Sequence, residues 1–461
     1  MEGPSALSAA TTVIEPWKAK EDAVMGFGMR GLVKAALVGA SLAALGSLTG
    51  AKAEDIRLTY QSWHLAEEPW ATSLKEGFAE FERLNPGIKI VPQPVSLGQR
   101  DVTLTTAIRA GRGPDIFQLD ANPISQYIKE GWVKDLTPYM EKEGGAKAFM
   151  ADFYPSLRDA VTNDGKVFGV PKNTAAMVLT YNKKLFDAAG VTQAPATWEE
   201  FRTAAQKLTR ATKDGGPVDQ WGTALILQPA GFDLRVSVIL RGFGADFLTP
   251  DNKHSALNTP EAKEAFQYVV DLIQKDKVMP PGVSQVDANA ARQFMAQSKV
   301  GTIVETLWAL PIIQAINPAF DAWNTLAMAP IPVKAGTDPK VRSTLYVDGL
   351  FMNPNTKNAD AAWKLIQFMT DRQRMEKWFV DNNMLSGRQS VNDEFKPIQD
   401  SKFAQVVKAE IGHASFLPLI PQWPEILTAF RQNLQAAVAQ TKTPEAALAD
   451  AHNQIEAILA R

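Results

Sequence analysis

Two α/β lobes joined by several passages of the chain are the fold class that this sequence predicts, and three observations carry the prediction. Residues 56–120 alternate strand and helix periods, the βαβ pattern of a mostly parallel sheet with helices on both faces. Residues 165–201 then open a second strand-and-helix series. No internal repeat and no low-complexity linker lies between the two series, so the lobes are expected to exchange chain more than once rather than hang on one tether.

Each element has its own warrant. Ile56-Arg57-Leu58-Thr59-Tyr60 alternates apolar and polar residues as a strand does, and runs into Gln61-Ser62-Trp63-His64. The next helix carries Trp70, Leu74, Phe78 and Phe81 on one face and is stopped by Asn85-Pro86-Gly87. Residues 88–91 form the second strand, 102–109 a helix broken by Gly111-Arg112-Gly113-Pro114, and 115–120 a third strand ending in a carboxylate. In the second series, 177–181 is a short apolar strand, 183–189 is helical, and Gly190 suits a left-handed closing residue. Thr197 with Glu200 is a capping box for a helix whose Trp198, Phe201, Ala205 and Leu208 share a face. Strands are expected over 221–227 and 326–332, a turn at Arg241-Gly242-Phe243-Gly244, and a helix from Thr259-Pro260 to 273. A short helix and a strand cover 294–308, a long helical region covers 358–378, and 386–391 is a loop. Thr443-Pro444 caps the last helix, with Ala447, Leu448, Ala451, Ile455 and Ile458 on one stripe.

The chain has 461 residues, 45% of them hydrophobic and 21% charged, enough for two cores. Its net charge of −2 argues against nucleic acid or an anionic membrane as the main partner. With no cysteine, thiolate catalysis, thiolate metal sites and disulfides are excluded. Compartment is read from the N-terminus. Met29-Arg30 and Lys34 precede a run of small and apolar residues over 35–49, then Ala51-Lys52-Ala53 before Glu54. This is the pattern of a secretion leader cleaved after Ala53, too short for a membrane span. Residues 1–24 carry Glu15, Glu21 and Asp22, unlike a leader's charged start, so Met25 or Met29 is a better beginning than Met1. The product is expected to be exported to the periplasm.

The search for chemistry returns mostly exclusions. His64, His254, His413 and His452 have no partners at metal-ligand spacing, and no HExxH, GxSxG, GxxxxGK[ST] or helix-opening GxGxxG occurs. Glu199-Glu200 belongs to the capping box, and Glu67-Glu68 reads as a solvated helix start. Aromatic and polar residues do gather at expected strand ends: Trp63 and His64 after the first strand, Asp120 ending the third, Trp308 after another, and Trp423 in a proline-bracketed loop. Ligands of open α/β sheets bind beyond the carboxyl ends of strands. A sugar needs flat aromatic faces for its C–H surface and carboxylates, amides or arginines for its hydroxyls. Core packing is the alternative for each tryptophan; for Trp198, Trp221, Trp363 and Trp378 it is the reading adopted.

With these residues in view, the chain resembles the extracellular sugar-binding proteins of bacterial ABC importers, the group that includes maltose-binding protein. The similarity rests on an ordered set: Gly113-Pro114-Asp115-Ile116; Val170-Pro171 with Leu179-Thr180-Tyr181-Asn182-Lys183-Lys184-Leu185-Phe186; Thr197-Trp198-Glu199-Glu200-Phe201; Phe294-Met295-Ala296 with Trp308; Ala329-Pro330-Ile331-Pro332; Ala361-Ala362-Trp363; and Thr443-Pro444-Glu445-Ala446-Ala447-Leu448. The resemblance implies a two-lobed periplasmic-binding-protein fold of type II. Lobe one would comprise 54–171 with 347–384, and lobe two 172–346 with 385–461, the first crossing falling at 171–174. It implies ligand contacts by Trp63, His64, Asp120 and Trp308, by Asn173, Asp348 and Gly349 on the crossings, by Arg388 on the third crossing, and by Trp423. The implied function is capture of a sugar without turnover, without a cofactor, by a monomer that delivers it to the permease subunits in the inner membrane. Ala175 stands where maltose-binding protein has a ligand carboxylate, and Leu419 where its related loop has an asparagine, so maltose itself is in doubt. Two other readings stay open: an anionic solute such as glycerol phosphate, held by Arg235, Arg241 and Arg388, and a secreted carbohydrate-active enzyme with an acid–base carboxylate pair.

Overall fold

The computed structural model describes residues 55–461 apart from Ala230; the expected leader and its cleavage site lie outside those residues. The strand Ile56–Ser62 pairs in parallel with Ile88–Pro94 on one side and Ile116–Asp120 on the other. Burial alternates through Leu58, Thr59 and Tyr60 and becomes continuous at Gln61 and Ser62, where the strand runs under the first site loop. Helix Trp70–Leu84 turns Trp70, Leu74, Phe78 and Phe81 inward, as their spacing predicts. The Gly113-Pro114-Asp115 motif is a clamp. Asp115 accepts from the Thr59 backbone N–H at 2.8 Å and the Thr59 hydroxyl at 2.6 Å, and also from the Thr356 hydroxyl.

On the other side of Ile116–Asp120 the sheet turns antiparallel. The order continues through Ser343–Met352, Gly169–Ala176 and Leu385–Ser386. All residues of the first two of these strands are buried. A second sheet holds Val178–Asn182 between Val300–Glu305 and Leu326–Ala329, with Trp221–Thr223 on its edge. Its ladders are antiparallel except the last, so the mostly parallel pairing expected for 56–120 does not extend through the second sheet. Met177 alone separates the strand of one sheet from the strand of the other. Its N–H donates to the Thr344 carbonyl at 3.1 Å and its carbonyl accepts from the Ser343 hydroxyl at 2.6 Å, pinning the step against the neighbouring crossing strand.

Local grammar settles most element ends. The Thr197–Glu200 capping box is formed, Gly190 takes φ +66°, and Thr259 and Thr443 cap helices Pro260–Gln274 and Pro444–Leu459. Three expectations differ. The strand expected over 221–227 is formed only over Trp221–Thr223. The helical region 358–378 is two helices, Ala359–Met369 and Arg372–Asn382, because Asp371 stops one and caps the next by accepting from the Arg374 N–H. Residues 386–391 are not a loop: Leu385–Ser386 joins the sheet edge and Gln389–Glu394 is helical.

Gly349, expected to touch a ligand, lies at an irregularity in the pairing between the two long crossing strands. A Cβ there would meet the Val170 carbonyl oxygen at 2.8 Å, so the residue keeps two backbones close. Gly349→Ala is expected to destabilise the protein by about 1–3 kcal/mol through overpacking, read as a lower urea midpoint with an unchanged slope. An unshifted midpoint would mean that the strands have room to part.

Candidate binding cleft

The strand ends of both sheets open on one cavity of about 420 Å³. Its first wall starts with Trp63, at the head of a short turn that Ser62 caps by accepting from the His64 N–H at 3.0 Å. Asp120 ends its strand beside it. Arg100, the first residue of helix Arg100–Arg109, donates to Asp120 and lies over the Trp63 ring at 4.5 Å from its centroid. One cation thus orients both an aromatic face and a carboxylate. Asp120 Oδ1 has no hydrogen-bond partner among the described residues. Burial pushes this carboxyl above its ordinary range, against the pull of Arg100.

The second wall is built on Glu305, the last residue of a fully buried strand. One of its carboxylate oxygens accepts from Arg235 at 2.6 Å and from Arg292 Nε at 3.0 Å; the other accepts from Trp308 Nε1 at 2.8 Å. Burial opposes its charge, but the two guanidiniums prevail and hold the carboxyl below the usual carboxylate range. The Trp308 ring stands edge-on to Tyr346, 4.9 Å between centroids. Trp423 lines the same cavity and packs edge-on against Phe247. Arg292 also approaches Glu67 of the first wall at 3.9 Å, an ion pair across the cleft. Burial pushes the Glu67 carboxyl upward, with Arg292 opposing.

Of the expected contact residues, the structure brings Trp63, Asp120, Trp308 and Trp423 to the cavity. The other five are elsewhere. Asn173 and Asp348 are committed to each other beneath the wall: the Asn173 amide donates to both carboxylate oxygens at 2.9 Å, and Tyr346 adds its hydroxyl at 2.7 Å. Gly349 is the close approach described above. Arg388 donates to the Thr370 carbonyl at 2.7 Å, pairs with Asp152 and covers the Phe153 ring. His64 is fully buried behind the wall, against Trp63, Trp70 and Trp378, with Gln118 Nε2 at 3.1 Å from Nδ1. Arg241 is likewise structural, donating to the carbonyls of Ser343, Ser415 and Phe416. Ala175, opposite Tyr346 in the ladder, offers the cavity no polar group.

Sequence reading missed Arg100, Glu67, Arg292, Glu305 and Tyr346. Glu67 is not a solvated helix start, because the turn after Trp63 folds it toward Arg292. The available signal was a carboxylate closing the apolar run 300–305, three residues before a tryptophan. Nothing local says that two arginines from separate helices converge on it.

Burial pushes the His64 imidazole well below its ordinary value of 6.5, with Lys172 and Arg100 adding to the effect. The unfolded chain protonates near 6.5 while the folded one does not, so stability is present above pH 6.5 and is lost as pH falls below it. The loss through this residue is at most about 1.4 kcal/mol per pH unit. Urea unfolding of wild type and His64→Gln between pH 7 and pH 5 checks this: the wild type should lose stability faster. Parallel losses would place the titration elsewhere.

The comparisons with known proteins agree with this architecture. The chain is 27% identical to a binding protein of Brucella abortus over 92% of this chain and 97% of that one. It is 24% identical to the arabinooligosaccharide-binding protein of Halalkalibacterium halodurans over 80% and 82% of the two chains. The crystal structure of an ABC transporter solute-binding protein from Thermotoga lettingae, bound with α-D-tagatose, superposes with a TM-score of 0.78 at 27% identity, covering 88% of this chain and all of that one. The model of the bacterial extracellular solute-binding protein family matches residues 67–375, more than half of the sequence, and the chain belongs to that family.

Proposed function

We propose that the protein is the sugar-capturing component of a carbohydrate ABC importer, working outside the cytoplasmic membrane and handing its solute to the permease subunits. The observation that carries this is the pairing of aromatic rings with tethered guanidiniums on both walls of one cleft. Trp63 under Arg100 and Trp308 beside Arg235 and Arg292 supply flat apolar faces and directed hydrogen-bond donors together. Those are the two things a pyranose or furanose presents a need for. The sugar-binding relatives support the reading.

Closure is the mechanism. The lobes are taken as 54–171 with 347–384, and 172–346 with 385–461. They rotate about the crossings, where Gly169–Ala176, Ser343–Met352 and Leu385–Ser386 lie side by side. A solute seated on one wall completes its contacts only when the other arrives, so binding energy selects the closed form. In this reading the bound solute is released to the permease unchanged. Affinity in the micromolar range, about −8 kcal/mol, is within reach of one stacked ring and several charge-assisted hydrogen bonds.

A thermal-shift screen of mono- and oligosaccharides, followed by calorimetry on the hits, tests the function; a binding protein raises its melting temperature with the right sugar and leaves it intact. Products appearing from an oligosaccharide would instead identify an enzyme. Trp308→Ala is expected to weaken sugar binding by about 1–3 kcal/mol with the fold preserved. An unchanged calorimetric Kd in a folded variant would remove Trp308 from the contacts.

A further inference from the structure

Glu305 is fully buried and does not line the cavity, yet it holds three residues that do: Arg235, Arg292 and Trp308. Its electrical role is separable from its mechanical one. Two guanidiniums face the solute from the second wall, and Glu305 is the carboxylate both of them reach directly; Glu67 stands 3.9 Å from Arg292 on the opposite wall. On the first wall, Arg100 is matched by Asp120 and Asp101. Asp233 adds a further carboxylate to the lining. Each cation that an anionic solute could use is therefore already paired inside a low-dielectric cleft. An entering carboxylate or phosphate would have to displace a fixed carboxylate or sit beside one, and like charges in such surroundings repel strongly. A guanidinium has five N–H donors, so one engaged with a carboxylate still offers donors to hydroxyl oxygens.

We propose that Glu305, without touching the solute, determines its charge class: by holding both Arg235 and Arg292 on its carboxylate, with Glu67 facing Arg292 across the cleft, it makes the cleft accept uncharged sugars and reject uronates and sugar phosphates. The inference rests on the sugar reading above and narrows it. It also disfavours the glycerol-phosphate alternative, two of whose three expected cations, Arg241 and Arg388, are bound to backbone carbonyls away from the cleft. Glu305 is a positioning and specificity-determining residue, so its test must read selectivity rather than affinity alone.

The experiment measures Kd by calorimetry, with displacement titration for weak ligands. The ligands are uncharged probes (D-tagatose, D-galactose, L-arabinose and an arabinooligosaccharide) and acidic ones (galacturonate, glucuronate and glucose 6-phosphate). Wild type should bind an uncharged probe and disfavour its acidic counterparts. In Glu305→Gln, which keeps the size and removes the charge, the ratio of acidic to uncharged Kd should fall at least tenfold. Glu305→Asp, which keeps the charge, should hold the wild-type preference even if both affinities drop. Should Glu305→Gln fail to fold, Arg292→Gln carries the test with the opposite sign, raising the ratio at least tenfold. A purely structural Glu305 would weaken both ligand classes alike, and an unchanged ratio in a folded charge variant overturns the proposal while leaving the sugar reading intact. Wild type preferring an acidic probe overturns it as well. Wild type binding none of the probes overturns the sugar reading, and this inference with it.

Discussion

A single carboxylate without access to water organises the second wall of the cleft. Glu305 ends a strand whose other residues are buried, and three donors from three separate segments converge on it. An ion of this kind is tolerated only when its lone pairs are filled, and removing one partner of a buried pair costs about 3–5 kcal/mol. The helices Phe232–Gly242 and Ala288–Ala296 are thus fixed relative to the strand by electrostatics as well as by apolar packing. Arg235, Arg292 and Trp308 reach the cavity already oriented, and less rotamer entropy is left to lose when a solute arrives.

The first wall repeats the logic with different parts. Asp120 holds Arg100, and Arg100 covers one face of Trp63. Behind it, His64 is kept neutral among aromatic rings, and Lys172 lies over Trp378 with its ammonium pushed down to about 7 by burial. The Asn173–Asp348–Tyr346 network spans the two long crossing strands, so the segments about which closure is proposed are tied to each other while a pair of walls moves around them. Arg292 and Glu67 meet across the gap at 3.9 Å, a weak contact compared with the Glu305 bonds.

What was legible in the sequence was whatever depends on neighbours in the chain. The capping box at Thr197, the proline-led helices at Thr259 and Thr443, the apolar stripe of the last helix and the left-handed Gly190 all rest on spacing of a few residues. The ordered motifs carried the family, and Trp63, Asp120 and Trp308 could be picked as cavity residues because strand ends are where such cavities open; Trp423 reaches the cavity from the start of helix Trp423–Val438. Other readings went astray. His64 sits next to Trp63 yet points into the core, since both lie in the tight turn Trp63–Ala66, where each residue is rotated about a third of a turn from the last. Arg388, Asn173 and Asp348 lie away from the cavity, the Arg388 guanidinium on the Thr370 carbonyl and the Asn173 amide nitrogen on the Asp348 carboxylate, 175 residues along the chain.

Sequence alone therefore determined the family, the two α/β series and the tryptophans Trp63 and Trp308 of the cavity wall, because periodicity, caps and motif order are local properties. Only the tertiary structure decided which charges line the cavity. Glu305 meets Arg235 across 70 residues, Arg100 meets Asp120 across 20, and Asn173 meets Asp348 across 175. Whether a charged side chain is a ligand contact or a buried counter-ion depends on what it is folded against, and in a low-dielectric cleft that pairing sets both its protonation and its availability.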